Sequence, residues 1–229
     1  MPYSIVSLSG GIDSSTLLAM NLAAYTSLPN APVIQTVAFR YGSKHNEYEL
    51  KAAKDIATHY NVGFNIIDVS SIFDCIESDL LKTGGPIPEG HYADESMART
   101  VVPGRNLIFA SILAGIAASG PASKDPYFHG EIHLGIHAGD HAIYADCRPA
   151  FFHALRSVVL LGTNKAQEGH LAKGVDVSAP FLKWTKQQIV AMGLKMKVPY
   201  HLTRTCYQDS PKACGRCGSC VERRMSFAA

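Results

Sequence analysis

The sequence predicts an α/β fold: a doubly wound, mostly parallel, Rossmann-like sheet followed by a small C-terminal zinc-binding segment. Two observations carry this prediction. Short apolar runs rich in β-branched residues alternate with helix-forming stretches through the first 70 residues, the β-α-β-α-β order of a parallel sheet. Four of the six cysteines then crowd together from position 206 onward. The run Ile5-Val6-Ser7-Leu8 reads as the first buried strand. Glycines follow, and residues 14–24 carry Leu17, Leu18 and Leu22 at helical spacing. Residues 33–39 read as a second strand. Residues 47–60 read as a helix with Leu50, Ala53, Ile56 and Ala57 on one face, and residues 64–69 as a third strand. The pattern weakens over residues 73–100, where the Gly/Pro-rich stretch 83–90 predicts a loop. An irregular segment of that length belongs to a lid or a binding loop. Helix resumes over residues 106–118, a fourth strand is expected at 132–136, and further helices at 151–161 and 185–192.

Composition limits the function classes. The chain has 229 residues, 47% hydrophobic and 17% charged, which suits a folded protein with a sizeable core. A net charge of +2 does not point to a polymeric anion as partner, so no direct nucleic-acid contact is expected. No unbroken apolar run reaches the roughly 18–20 residues of a membrane span. The start, Met1-Pro2-Tyr3-Ser4, lacks a basic stretch ahead of an apolar core, so a cytoplasmic location with reduced thiols is expected.

The first strand leads into Leu8-Ser9-Gly10-Gly11-Ile12-Asp13-Ser14-Ser15, with Thr16, Leu17 and Leu18 continuing into the helix. Glycines let backbone amides approach an anion closely, and the helix start adds unpaired N–H groups. Ser9, Ser14 and Ser15 add hydroxyls, and the carboxyl end of a first strand is where such sheets hold ligands. The spacing is neither G-x-x-x-x-G-K-[ST] nor G-x-G-x-x-G. It resembles SGGxDS, the pyrophosphate-binding loop of the adenine-nucleotide α-hydrolase-like (PP-loop) superfamily. That resemblance implies cleavage of ATP between the α and β phosphates, with residues 8–18 holding the nucleotide and Asp13 organising Mg²⁺ and phosphate. The expected division is a catalytic unit over 1–195 and a cysteine-bearing segment over 196–229.

Cys206, Cys214, Cys217 and Cys220 are spaced C-x7-C-x2-C-x2-C. Four thiolates in a reducing compartment at this spacing favour a closed, structural zinc site, with an iron–sulfur cluster or redox thiols as the alternatives. Cys75 and Cys147 stand apart and read as ordinary free cysteines.

With both ends read, the chain resembles the QueC family over nearly its whole length. Ala38-Phe39-Arg40-Tyr41-Gly42-Ser43-Lys44-His45 looks like FDYGQRH, and Val102-Pro103-Gly104-Arg105-Asn106 is VPGRN. Tyr144-Ala145-Asp146-Cys147-Arg148 is similar to YPDCR, residues 179–184 to TPLMW, and Thr203-Arg204-Thr205-Cys206-Tyr207 matches TxTCY. The resemblance implies a ligase that turns 7-carboxy-7-deazaguanine and ammonia into 7-cyano-7-deazaguanine, through an adenylated acid and an amide. It also implies a homodimer. Asp13, Ser14, Lys44, Arg105 and Asp140 are then the expected catalytic residues, Lys44 and Arg105 as phosphate or carboxylate contacts. His137, Asp140, Asp146 and Arg148 are the expected substrate contacts.

One segment departs from the family pattern. Where GVCETDFSGYPDCR is usual, His137 replaces the cysteine and Ala138 the glutamate, while Asp140 is retained. The departure bears on substrate contact and not on adenylation. His129, His133, His137 and His141 recur every fourth residue. The alternation of residues 131–136 reads as a strand, so a proton-handling role for His137 or His141 is expected in preference to a second metal. The competing functions are a tRNA-thiolating enzyme or another ligase with the same adenylation chemistry, and a zinc-ribbon nucleic-acid module.

Overall fold

The computed structural model describes residues 3–26, 28, 31–90, 95–120, 128–140, 142–164 and 174–228. Five strands, β1 (Tyr3–Ser7), β2 (Val33–Arg40), β3 (Gly63–Asp68), β4 (Phe128–His133) and β5 (Gly174–Ser178), pair in the order β3-β2-β1-β4-β5. Every pairing is parallel. The helices are α1 (Ile12–Thr26), α2 (Asn46–His59), α3 (Ser70–Phe73), α4 (Arg105–Ser119), α5 (Pro149–Gly162), α6 (Lys186–Lys195) and α7 (Gly218–Phe227).

Alternation along the strands sorts the core into two layers. Ile5, Val37, Phe39, Ile132, Val175 and Val177 face a cluster that takes in Ala110, Leu113, Leu155 and Val159 from α4 and α5. Val6 and Ala38 face the opposite cluster, with Leu17 and Leu18 of α1, Ala53 and Ile56 of α2, and Ile189 and Val190 of α6. This is the expected doubly wound sheet. The strand order reverses between β1 and β4, and the carboxyl ends of those two strands open the crevice where such sheets bind ligands.

The structure corrects several expected boundaries. The fourth strand runs from Phe128 to His133, earlier than its expected 132–136, and Leu134 continues only as a backbone bond to Ser178 (2.9 Å). β5 was not expected at all. The region 73–100 starts where α3 ends and carries a short 3₁₀ turn, Glu95–Thr100, its other described residues being loop. Met97–Ser119, with mean hydropathy 1.6, is long and apolar enough by composition alone to cross a membrane, although Arg99, Arg105 and Asn106 interrupt its apolar run. It is two helical pieces broken at Pro103-Gly104, and α4 packs its Ala110, Leu113 and Ala117 into the sheet.

Gly10 sets how the first loop sits on this scaffold. It takes φ +78°, and a Cβ there would fall 2.6 Å from Ala53 N and 2.7 Å from Glu49 O, both rigid α2 backbone. The close approach brings the loop against α2. Gly10→Ala should therefore cost about 1–3 kcal/mol of stability, from left-handed strain and overpacking together, read as a lowered urea midpoint at unchanged slope.

Candidate active site

The crevice at the carboxyl edge holds a cleft of about 220 Å³. Its floor is the glycine loop. Leu8, Ser9, Gly11, Asp13 and Ser14 line it. Ser9 and Ser14 hydroxyls are 3.1 Å apart, and Gly11 N–H donates to Ser9 Oγ at 3.3 Å. The first N–H groups of α1 have no intrahelical acceptors, so this end favours an anion. The rest of the expected nucleotide segment is structural. Ser15 and Thr16 hydroxyls donate back to the carbonyls of Gly11 (2.7 Å) and Ile12 (2.8 Å). Ile12, Leu17 and Leu18 are core residues, and Gly10 packs on α2.

Above the loop sits a charged cluster drawn from four separate parts of the chain. Lys186 Nζ donates to Asp13 Oδ2 at 2.6 Å and lies 3.4 Å from Glu222 Oε2. His137 Nδ1 accepts the Gly139 N–H at 3.1 Å, and its Nε2 stands 3.3 Å from Asp140 and 3.8 Å from Asp13. Burial pushes the Asp13 carboxyl up, but Lys186 and then His137 pull it down further, leaving it below the ordinary carboxylate range. Burial works against the Lys186 charge, and Asp13, Glu222 and Asp140 overcome it, so its pKa rises. Burial raises Glu222, with Lys186 opposing. Asp13 Oδ1 is buried without a hydrogen-bond partner among the described residues. It is a hard oxygen donor of the kind a divalent cation takes, in the cleft that Asp140 also lines.

Of the expected catalytic and substrate residues, Asp13, Ser14, Arg105, His137 and Asp140 meet in this cleft. Lys44, Asp146 and Arg148 do not. Lys44 Nζ donates to the carbonyls of Asp79 (2.8 Å), Gly84 (3.2 Å) and Gly85, bracing the 79–85 loop. Asp146 Oδ2 accepts the Asn106 N–H at 3.0 Å, capping the start of α4. That bond and the Asn106 Nδ2 donation to Asp146 O at 3.2 Å hold the 102–106 and 144–148 segments together. Arg148 is exposed and reaches the Ala142 carbonyl at 3.5 Å. His133 lies in another environment, 2.8 Å from Ser4 Oγ, and burial pushes it down to about 4. His141 and the His129 side chain lie outside the described residues.

Lys186 and Glu222 were missed. Lys186 had a signal: Thr185 and Gln188 form a capping box that makes Lys186 the first helical residue, the wrong end of a helix dipole for a cation. Glu222 had none, because only the folded tail carries α7 to the cleft.

The four cysteine Sγ atoms lie within 4.8 Å of one another. Backbone N–H groups of Gln208 and Cys214 donate to Cys206 Sγ at 3.4 and 3.3 Å, and those of Arg216 and Cys217 to Cys214 Sγ at 3.4 and 3.3 Å. Amide bonds of this kind stabilise thiolate charge, so the set fits a four-coordinate soft metal. The same tail closes the cleft: Arg204 N–H donates to Gly10 O at 2.8 Å, and Ser219 and Glu222 line the cavity.

A doubly wound sheet with a donor-rich SGGxDS loop at its switch point defines a PP-loop nucleotide-binding protein. A family model described as queuosine biosynthesis protein QueC matches residues 3–229, and the chain belongs to that family. It is 40% identical over 223 residues to a 7-cyano-7-deazaguanine synthase of Caldicellulosiruptor saccharolyticus, covering 97% of this chain and 89% of that protein. A synthase of the same name from Pseudoalteromonas atlantica is 38% identical over 223 residues, covering 97% and 92%. Among solved structures, the U34-tRNA thiolase NcsA of Methanococcus maripaludis with its [4Fe-4S] cluster aligns at TM-score 0.46 and 16% identity. That alignment covers 99% of this chain and 64% of the thiolase. A likeness of that size is no guide to activity.

Removing the Lys186 charge isolates Asp13. Lys186→Met should cost about 3–5 kcal/mol, because a buried carboxylate loses its partner. In the native protein Asp13 is depressed, so its contribution is present above the unfolded value of about 3.9 and lost as pH falls. In the variant burial acts with less opposition, the carboxyl titrates higher, and stability falls as pH rises past that value. The gap between the two unfolding free energies should therefore widen from pH 3 to pH 7; a constant gap would sink this account.

Proposed function

We propose that the protein uses ATP to convert 7-carboxy-7-deazaguanine and ammonia into 7-cyano-7-deazaguanine. The observation that carries this reading is the Ser9–Ser14 anion cradle opening into the same cleft as Lys186, Asp140 and Arg105. A carboxylate does not react with ammonia unaided, so it needs a leaving group. The acid's oxygen attacks the α-phosphorus of ATP, and pyrophosphate leaves into the loop N–H groups and the Ser14 hydroxyl. Lys186, released from Asp13, follows the negative charge onto the phosphates. Ammonia adds to the acyl carbon, and the proton it sheds passes to the Asp140–His137 pair. AMP departs and the amide remains. The amide oxygen then attacks the α-phosphorus of a second ATP, releasing a second pyrophosphate into the loop. The nitrogen gives up its two protons, the first to the Asp140–His137 pair and the second to water, and AMP leaves as the C≡N bond forms. Both rounds use one cleft because each activates an oxygen on the same carbon.

Asp13 and Asp140 would hold Mg²⁺, which when bound offsets phosphate charge. Cys206, Cys214, Cys217 and Cys220 would hold one structural Zn²⁺. Functionally we divide the chain into a catalytic segment, 1–195, and a metal segment, 196–229, that closes the cleft. We place the enzyme in the cytoplasm as a homodimer acting on small molecules. Exposed Leu107, Val158 and Leu161 on α4 and α5 support a face for a second copy.

Purified protein with ATP, Mg²⁺, the deazaguanine acid and ammonium should yield the amide and then the nitrile by mass spectrometry, with Asp13→Ala at least about 100-fold slower. No product from the wild type, or equal product from the variant, would overturn the assignment. Metal analysis should give about one zinc per chain, lost in Cys217→Ser; iron in its place would replace the zinc reading with a cluster.

A further inference from the structure

The cleft lining carries a second group of residues that the phosphate chemistry does not use. Tyr41 follows β2, His45 precedes α2 and Glu49 lies in its first turn, Arg105 and Phe109 belong to α4, and Tyr207 comes from the tail. Tyr41 and Phe109 meet edge to face at 5.5 Å, and the Tyr207 ring lies 5.2 Å from that of His45. The Arg105 guanidinium stands 5.9 Å from the Tyr41 ring. Glu49 Oε1 is 3.3 Å from His45 Nε2, and the His45 side chain is only 2% exposed. His45 Nδ1 is buried with no hydrogen-bond partner among the described residues. The Glu49–His45 contact stands on the cleft wall, where a bound group can reach the Glu49 carboxylate.

The chemistry of this group is specific: aromatic walls, one cation and one anion. That matches a planar heterocycle with an acidic substituent on one side and a row of N–H donors on the other. A carboxylate accepts two parallel N–H bonds, which is what an N1–H and exocyclic 2-amino edge offers. An adenine edge presents a donor beside an acceptor, and the acceptor would set a lone pair against a carboxylate oxygen. Arginine in turn gives paired bonds to a carboxylate. We infer that Glu49 reads the N1–H/2-amino edge of the deazaguanine acid, that His45 is the positioning residue for Glu49, and that Arg105 holds the acid end. The inference rests on the proposed reaction. It moves substrate discrimination from the 137–148 segment to the first turn of α2.

Steady-state kinetics with the deazaguanine acid and its 2-deamino analogue test this on wild type and Glu49→Gln. Wild type should prefer the amino compound by at least about 100-fold in kcat/KM, since the analogue leaves a site carboxylate unmatched. Glu49→Gln should cut that preference to within about tenfold, mainly through the KM of the acid, with the KM of ATP unchanged. A preference kept in the variant, or a change confined to ATP, overturns the inference. If Glu49→Gln does not fold, Glu49→Asp serves: it should keep the preference and lose affinity for the acid, and unchanged affinity overturns the inference. If wild type turns over neither compound, the proposed reaction fails on its own. Calorimetry with guanine and hypoxanthine then decides Glu49: a guanine preference lost in the variant upholds it, and no preference overturns it.

Discussion

Asp13 and Lys186 touch at 2.6 Å across 173 residues of sequence, and the carboxyl edge of the molecule is arranged around that contact. A lysine ammonium at 11% exposure needs anions close by, and it has Asp13 from the glycine loop and Glu222 from α7. The contact therefore joins the loop after β1, the start of α6 and the C-terminal helix into one charged cluster. Removing Lys186 leaves the Asp13 and Glu222 carboxyl groups facing each other's charge without the ammonium between them, a larger penalty than the pair's net gain. This is why the cysteine tail cannot be a detached module in its packing, even though its own core is small. Ile87, Cys206, Cys217 and Cys220 form a separate cluster, while the tail's backbone binds Gly10 and its helix supplies Glu222.

The tail also explains how a site with so few local signals is held rigid. Arg204 donates its backbone N–H to the glycine loop and spends its guanidinium on the carbonyls of Gln208 (3.1 Å), Ser210 (2.6 Å) and Pro211 (3.1 Å). The turn leading to Cys214 is thus tied to the loop that would hold pyrophosphate. A metal bound by the four thiolates would fix α7 and hence Glu222. A metal held by the four thiolates would thus act on the catalytic charge through ordinary hydrogen bonds, without itself entering the cleft.

The parts of this arrangement visible in the sequence are those with local causes. β1 to β3, α1 and α2 follow from apolar periodicity and the glycine loop, and the cysteine cluster from spacing. β5 was invisible because Gly174–Ser178 holds two valines around Asp176, a weak strand by propensity. Arg156 of α5 makes two bonds to that aspartate (2.5 and 2.8 Å), a partner only the fold provides. β4 was placed late because Leu134 and Ile136 look like strand, yet they leave the ladder to line the cleft. Lys44 meets the carbonyls of the 79–85 loop outside the cleft, and the sequence carries no signal for that, because a cation looks the same whether carbonyls or phosphates await it.

Charge balance at the loop gives the cluster a further meaning. Asp13, Asp140 and Glu222 bring three carboxyl groups against the one ammonium of Lys186, in a cleft where solvent screening is poor. A bare triphosphate entering there would meet more negative than positive charge, despite the N–H groups of α1. Asp13 Oδ1, buried and unpartnered, faces the same problem from the protein's side. A divalent cation arriving with the nucleotide resolves both: it satisfies the orphan oxygen and reverses the local sign. It also lets Lys186 exchange a carboxylate for a phosphate without losing an anion. On this balance a cation held at Asp13 would serve nucleotide binding as well as the chemistry proposed above, and the acidic excess of the free protein would favour ATP in its metal-bound form.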